Sequence, residues 1–299
     1  MPDESQSDQI MASPSVQWPT FLGIGVPKAG SSWLYEVLDS HPHIWVPEER
    51  EVHFFDRYYQ ERGLTWYRKL FPSGEKSKYK AIGEVTPQYI YCESEQIDAL
   101  KSSVPSIEKF IIILRNPVDA LYSGYWFSKR VDNFDLTFRE FLEQRSYAVE
   151  HAHYARHLKR WLEYFDRDQF LVLTTEEDLS AAEQAREKVA KFLNVDPNLF
   201  PEEAGKSKEN SRHLPRFQAA YAWAIDLNRR LKQSDIYWPA RVAEALGVKH
   251  WFGKQEVDEE MDPRLREELE DRYADDIRKL QQMLGREFPE WDLNSPAAT

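Results

Sequence analysis

Three short runs, "TFLGIGV" at 20–26, "KFIIIL" at 109–114 and "QFLVLT" at 169–174, constrain the fold more than any other feature of the sequence. Each is apolar almost without interruption, whereas a strand with one wet face would alternate. Continuous hydrophobicity over so short a span marks strands covered on both faces, the usual state of a parallel sheet. Parallel neighbours need long crossovers, and helical patterns lie between the runs at 31–40, 117–129 beginning at Pro117, 152–165 and 180–193. Shorter strand candidates are "HIWV" at 43–46 and "AIGEV" at 81–85. This order predicts an α/β fold of three layers, a central, mainly parallel sheet with helices on both faces and ligands at the carboxyl ends of its strands. Further on, "DPRLREELEDRYADDIRKLQQMLG" predicts a helix with Asp262 as N-cap, Pro263 at its first position and Gly285 as its stop.

With 299 residues, 41% of them hydrophobic, the chain can bury one large core. One domain over residues 19–299 is expected, preceded by an extended or disordered segment, 1–18. The net charge of −12 argues against a general nucleic-acid binder, which needs a basic surface to displace counterions. Any anionic ligand must then meet a local basic pocket. The start, "MPDESQSDQIMASPSVQWP", has no apolar signal region, and no run approaches the roughly 20 apolar residues of a membrane span. A cytoplasmic protein is expected. The single cysteine, Cys92, excludes an intramolecular disulfide and a cysteine-cluster metal site.

Residues 23–36, "GIGVPKAGSSWLYE", follow a predicted strand and enter a predicted helix. Gly25 and Gly30 have the spacing of a Walker A loop, which makes the fold P-loop-like, but Ser31 stands where that pattern has lysine. Lys28 comes two residues before the second glycine instead. Backbone N–H groups near Gly30, Ser31 and Ser32 would face one anion, with Lys28 reaching over it. A nucleoside triphosphatase would also need a metal-binding acid at the end of a hydrophobic strand. "FIIIL" runs into "RNP" instead, so Arg115 occupies that place. Tyr122 and Ser123 follow about two helical turns after Asn116, so the Ser123 hydroxyl could lie near the same anion as Arg115.

These residues carry a resemblance. "PKAGSSWL" resembles the 5′-phosphosulfate-binding motif of the sulfotransferases that use 3′-phosphoadenosine 5′-phosphosulfate (PAPS), and "ILRNPVDALYSGYW" resembles their 3′-phosphate-binding motif. "EREVHFFD" at 49–56 and "GEVTPQYIY" at 83–91 are similar to segments of the heparan-sulfate branch, the first of them catalytic. The similarity covers roughly Pro19 to Trp291 and weakens after about residue 195. It implies a PAPS-dependent sulfotransferase that needs no metal. Lys28 would stabilise the leaving oxygen, and Ala29, Gly30, Ser31 and Ser32 would hold the 5′-phosphate. Arg115 and Ser123 would hold the 3′-phosphate. Trp33 resembles the tryptophan that stacks on adenine, its other reading being a core residue of the first helical turn.

An extended "EVH" would project Glu51 and His53 from one face and turn Val52 into the core. The resemblance makes Glu51 the first choice for the base and His53 the second, because other branches use histidine. The acceptor would be a small molecule, a carbohydrate or a lipid. The chain departs from the heparan-sulfate branch at Val85, where those enzymes have lysine, and their C-terminal disulfide cannot form here. "KSKENSRHLPR" is similar to the family's cofactor lid, with Arg212 and Arg216 as candidates for the 3′-phosphate, and lies within the best candidate for a mobile loop, 201–216. "HAHYARH" offers His151, His153 and His157, which read as part of a polar helix rather than a metal site. A P-loop kinase or nucleoside triphosphatase and a non-catalytic nucleotide-binding module are the alternatives.

Overall fold

In the computed structural model, residues 17–73, 78–206, 213–214, 227, 255–256 and 260–291 are described. The apolar runs become β1 (Phe21–Gly25), β2 (Ile44–Trp45), β3 (Ala81–Val85), β4 (Lys109–Leu114) and β5 (Phe170–Thr174). They form one sheet in the order β2-β3-β1-β4-β5, and every neighbouring pair is parallel. β1 is buried at every residue and β4 at all but its first, which is why these two read as continuous rather than alternating, whereas β5, the third such run, is half-buried at Leu171 and Val172; β3 is buried throughout although it carries Glu84.

The helices predicted at 31–40, 117–129, 152–165, 180–193 and after Asp262 are present, and four more, at 59–68, 94–103, 138–144 and 146–151, were not predicted. In chain order they are α1 (Ser31–Ser40), α2 (Tyr59–Arg68), α3 (Ser94–Ser103), α4 (Pro117–Asp132), α5 (Phe138–Gln144), α6 (Ser146–His151), α7 (Tyr154–Leu162), α8 (Ala182–Leu193) and α9 (Pro263–Leu284). Asp262 caps α9 through the Arg264 N–H at 3.0 Å, and Gly285 ends it with φ 62°. The helix expected over 152–165 is shorter, because His153 at ψ 77° is non-helical and separates α6 from α7. No helix among the described residues is long and apolar enough to cross a membrane.

The chain divides into two compact units, one of residues 1–117, 153–208 and 273–299 and the other of 118–152 and 209–272. The first contains the five-stranded sheet. Its core includes Phe110, whose ring lies 5.2 Å from Trp161, 4.5 Å from Phe165 and 5.0 Å from Phe170. The second packs the fully buried Tyr125 against Tyr122, Trp126, Phe138 and Phe141, and has a two-stranded antiparallel ladder, β6 (His213–Leu214) with β7 (Gln255–Glu256). Of the predicted loop 201–216, the turn at 201–204 is gathered by Arg186, which donates to the carbonyls of Pro201, Glu202 and Ala204. Arg212 and Arg216 lie outside the described residues.

Gly83 lets the sheet close. It pairs with Phe21, and a Cβ there would run into the Phe21 carbonyl oxygen and stand 2.7 Å from the Phe21 ring. Gly83→Ala is therefore expected to destabilise the protein by about 1–3 kcal/mol, the range for overpacking a core. Urea denaturation should show a lower midpoint with the slope unchanged.

Candidate active site

β1 lies between β3 and β4, and its carboxyl end opens into the glycine loop. The Val26 N–H still bonds the Ile113 carbonyl at 2.7 Å, and Ala29 N–H closes a turn on Val26 at 3.3 Å. Lys28 and Gly30 then take left-handed conformations, φ 68° and 118°. The first helical bond of α1 runs from Leu34 N–H to the Gly30 carbonyl, so the N–H groups of Ser31, Ser32 and Trp33 precede the helical ladder. This helix start has no side-chain cap and no acidic residue in its first turn. Its donors and the half-helix dipole favour an anion.

Two tethers fix the loop. Arg115 Nη1, just past β4, donates to the Lys28 carbonyl at 3.1 Å. Thr175 Oγ1, just past β5, donates to the Ala29 carbonyl at 2.6 Å. Next to Arg115, the Asn116 N–H bonds Glu176 Oε1 at 2.9 Å, and Trp291 Nε1 bonds Glu176 Oε2 at 3.1 Å. Burial raises the Glu176 pKa against those two bonds and the Arg115 charge. Lys28 and Ser31 are half-buried, Ser32 is exposed and Ala29 is buried. Trp33 is 8% exposed and donates to the Gly205 carbonyl at 3.0 Å, so its indole is a core residue with little face to offer a ligand. Ser123 is a half-buried residue of α4, within the second unit.

The segment at 49–56 departs from expectation. "EVH" is not extended: Glu51 and His53 have φ 57° and 55°, and His53 opens a five-residue π-helical turn, Phe54–Tyr58. The reason is packing. Val52, Phe54 and Phe55 are all buried, and a strand that turned 52 and 54 inward would push 55 outward. Left-handed residues at 51 and 53 resolve this, with the Glu51 N–H on the Val85 carbonyl at 3.2 Å and Phe54 stacked on Tyr67 at 4.2 Å. The two side chains nonetheless meet, His53 Nε2 lying 3.8 Å from Glu51 Oε2, an ionic contact too long for a hydrogen bond.

Sequence reasoning missed Asp56. Its Oδ2 lies 2.8 Å from His53 Nδ1, a pairing three residues apart that the helical turn makes and an extended segment would not. His53 therefore stands between two carboxylates. Burial lowers its pKa, but Asp56 and Glu51 outweigh that effect, and the net shift is upward from 6.5. Among the described non-glycine residues, five have positive φ: Asn133 and Asn194, of a type that tolerates it, and Lys28, Glu51 and His53. Strain of this kind collects at functional sites.

The histidines of "HAHYARH" are dispersed. His151 packs on Tyr147, His153 lies 3.8 Å from Asp276 and His157 is buried against Tyr91. No group of three or more potential metal ligands occurs among the described residues.

A family model described as "Sulfotransferase domain" matches residues 19–221. "Heparan sulfate glucosamine 3-O-sulfotransferase 5" of Homo sapiens is 30% identical over 198 residues, covering 61% of this chain and 55% of that protein. "Heparan sulfate glucosamine 3-O-sulfotransferase 6" of Homo sapiens is 35% identical over 187 residues, covering 60% and 53%. The chain thus spans about half the length of these relatives. A crystal structure of a sulfotransferase from Alicyclobacillus acidocaldarius shares the fold with a TM-score of 0.67 at 24% identity, covering 92% of this chain and 99% of that one.

Asp56→Asn removes the closer negative partner of His53 while burial remains. The imidazole pKa should fall, readable by NMR titration. Stability linked to charged His53 is fully present below pH 6.5 and lost as pH rises through the raised value, so the variant should lose that pH-dependent component.

Proposed function

This chain belongs to the sulfotransferase family, and from that membership we propose that it transfers a sulfonate group from PAPS to a hydroxyl or amine of a small-molecule, carbohydrate or lipid acceptor. The observation that carries the reading is the uncapped start of α1 beside Lys28, tethered by Arg115 and Thr175. Its donor set of N–H groups, hydroxyls and an ammonium, with no acidic residue in the first helical turn, fits a phosphosulfate. Both compact units are read as one sulfotransferase domain over 19–299, since the family match runs through residues of each.

PAPS would supply a sulfonate whose sulfur bonds to the acceptor oxygen or nitrogen as its bond to the bridging oxygen breaks, leaving that electron pair on 3′-phosphoadenosine 5′-phosphate. Lys28 neutralises the charge that builds on the bridging oxygen, where a preorganised cation is most effective. The N–H groups and hydroxyls at 31–32 hold the 5′-phosphate, and Arg115 with Ser123 the 3′-phosphate. Glu51, 45% exposed, accepts the acceptor's proton. His53 is the second choice for that role: its raised pKa makes it more a donor beside Glu51 than a base. The net charge of −12 and buried Val85 in place of the heparan-sulfate branch's lysine favour an acceptor that is not densely sulfated. An arginine rather than a carboxylate past β4 weighs against magnesium-dependent phosphoryl transfer.

Labelled PAPS, an acceptor panel and mass-spectrometric product identification test the reaction, and no transfer to any acceptor would overturn it. Calorimetry should give the 3′-phosphorylated product nucleotide an advantage of about 1.5–3 kcal/mol over its analogue lacking that phosphate. Equal affinities would remove the assigned role of Arg115 and Ser123. Lys28→Ala should lower kcat more than nucleotide affinity. Glu51→Gln should cost about 10²–10⁴ in rate with nucleotide affinity nearly unchanged, whereas an active Glu51→Gln beside an inactive His53→Ala would make the histidine the base.

A further inference from the structure

Behind the Glu51–His53 pair lies a buried carboxylate that the proposed reaction does not touch. Glu84, in β3, is 1% exposed. Its Oε1 accepts from the hydroxyls of Tyr67 at 3.0 Å and Tyr89 at 2.8 Å, and its Oε2 from the Thr86 hydroxyl at 2.6 Å. An ionised carboxylate can only accept, so each of these hydroxyls spends its one hydrogen on Glu84. Their lone pairs are then left to accept. Thr86 Oγ1 takes the His53 N–H at 3.4 Å, and the Tyr89 oxygen takes the N–H groups of Phe54 at 2.8 Å and Phe55 at 3.4 Å.

These are the donors that open the π-helical turn, where no intrahelical acceptor is available. The His53 side chain does not cap that turn, its ring being engaged by Asp56. The neighbouring Val85 carbonyl holds the Glu51 N–H. Three consecutive residues of one strand end therefore govern the backbone that sets both Glu51 and His53.

We infer that Glu84 is a positioning residue: by fixing the direction of the Thr86 and Tyr89 hydroxyls, it holds His53–Phe55 in the conformation that brings His53 to Glu51. Its effect on rate rests on the proposed role of Glu51 and His53, and its effect on the backbone does not. The arrangement carries a pH dependence. Burial pushes the Glu84 carboxyl up to about 6 against the three hydroxyl bonds and the His53 charge. The ionisable groups around it are Tyr67, Tyr89, His53 and Cys92, with Asp56 acting on Tyr89 and His53, and both phenols are held well above their ordinary range, hence remain donors. A protonated Glu84 carries a hydrogen of its own, and donating it to the Thr86 or Tyr89 oxygen displaces a backbone N–H or turns that hydroxyl's hydrogen away. The clamp loosens as pH falls through that value.

Glu84→Gln keeps the shape and imposes two N–H donors at all pH values. In the chain of residues 1–299 it should speed amide exchange at Phe54 about tenfold or more, lower kcat by up to about a hundredfold as misplacement of a reacting group does, and leave nucleotide affinity unchanged. The acidic limb attributable to Glu84 should disappear, while His53, followed separately by NMR, still titrates. Tyr89→Phe removes one acceptor and leaves Glu84 in place; it should reproduce the faster exchange, and the double variant should fall short of the sum of the singles because they act through one network. Wild-type exchange and kcat in Glu84→Gln, or additivity in the cycle, would overturn the inference. If Glu84→Gln does not fold, the wild-type chain decides: exchange at Phe54, corrected for the intrinsic pH dependence of amide exchange, that speeds as pH falls through about 6 upholds the inference, and exchange with no such change overturns it. A fully active Glu51→Gln beside faster exchange in Glu84→Gln would sink the proposed base and leave the positioning intact.

Discussion

Because β1 pairs in parallel with β3 on one side and β4 on the other, the carboxyl ends of the three strands emerge on a single edge of the sheet, and β5 extends that edge past β4. The proposed site hangs from that edge. Lys28 lies three residues beyond β1, Arg115 follows β4, Thr175 follows β5, and the last residue of β3 receives the Glu51 N–H. The pairing depends on close approach of two backbones, which Gly83 beside Phe21 permits and a side chain would prevent. Residues of the proposed site that are far apart in sequence are thereby fixed to neighbouring strand ends.

The same edge sustains unfavourable backbone. A left-handed non-glycine residue costs about 1–3 kcal/mol, while one hydrogen bond contributes about 0.5–1.5 kcal/mol net. A single bond does not offset one such residue, and the structure uses several. Lys28 and Ala29 are held through their carbonyls by Arg115 and Thr175. Glu51 and His53 are held by Val85 and Thr86, while Gln96 donates to the carbonyl of Asp56 at 3.1 Å and, more weakly, to that of Phe55. Packing of Phe54 and Phe55 around Tyr67 adds the remainder.

Charge is placed locally against a contrary background. The chain carries −12 overall, yet the start of α1 has no acidic residue in its first turn and lies beside Lys28, whose carbonyl Arg115 binds. Acidic groups collect instead around His53, where Asp56 and Glu51 raise its pKa despite burial. One part of the site thus favours an anion and another favours a proton, the separation the proposed transfer would use.

The sheet and its helices were legible because their signals are local. "KFIIIL", "AIGEV" and the helix at 31–40 appear with the boundaries their hydrophobic pattern predicts. Lys28 before Gly30 marked the loop for a related reason, since strand, glycine and helix start are contiguous. The conformation of "EVHFFD" was not legible in this way. Alternation within the segment favoured an extended chain, and what defeats it is the burial of Phe55 together with a bond to Thr86, 33 residues away. The pairing of His53 with Asp56 follows from that turn, and Glu84 acquires its role only when Tyr67 and Tyr89 converge on it. Trp33 had two readings, and its bond to Gly205, 172 residues on, made it part of the core. A hydrophobic period encodes which face of a segment is buried; the hydrogen bonds that hold a residue in a costly conformation come from partners remote in the chain, and no local pattern can supply them.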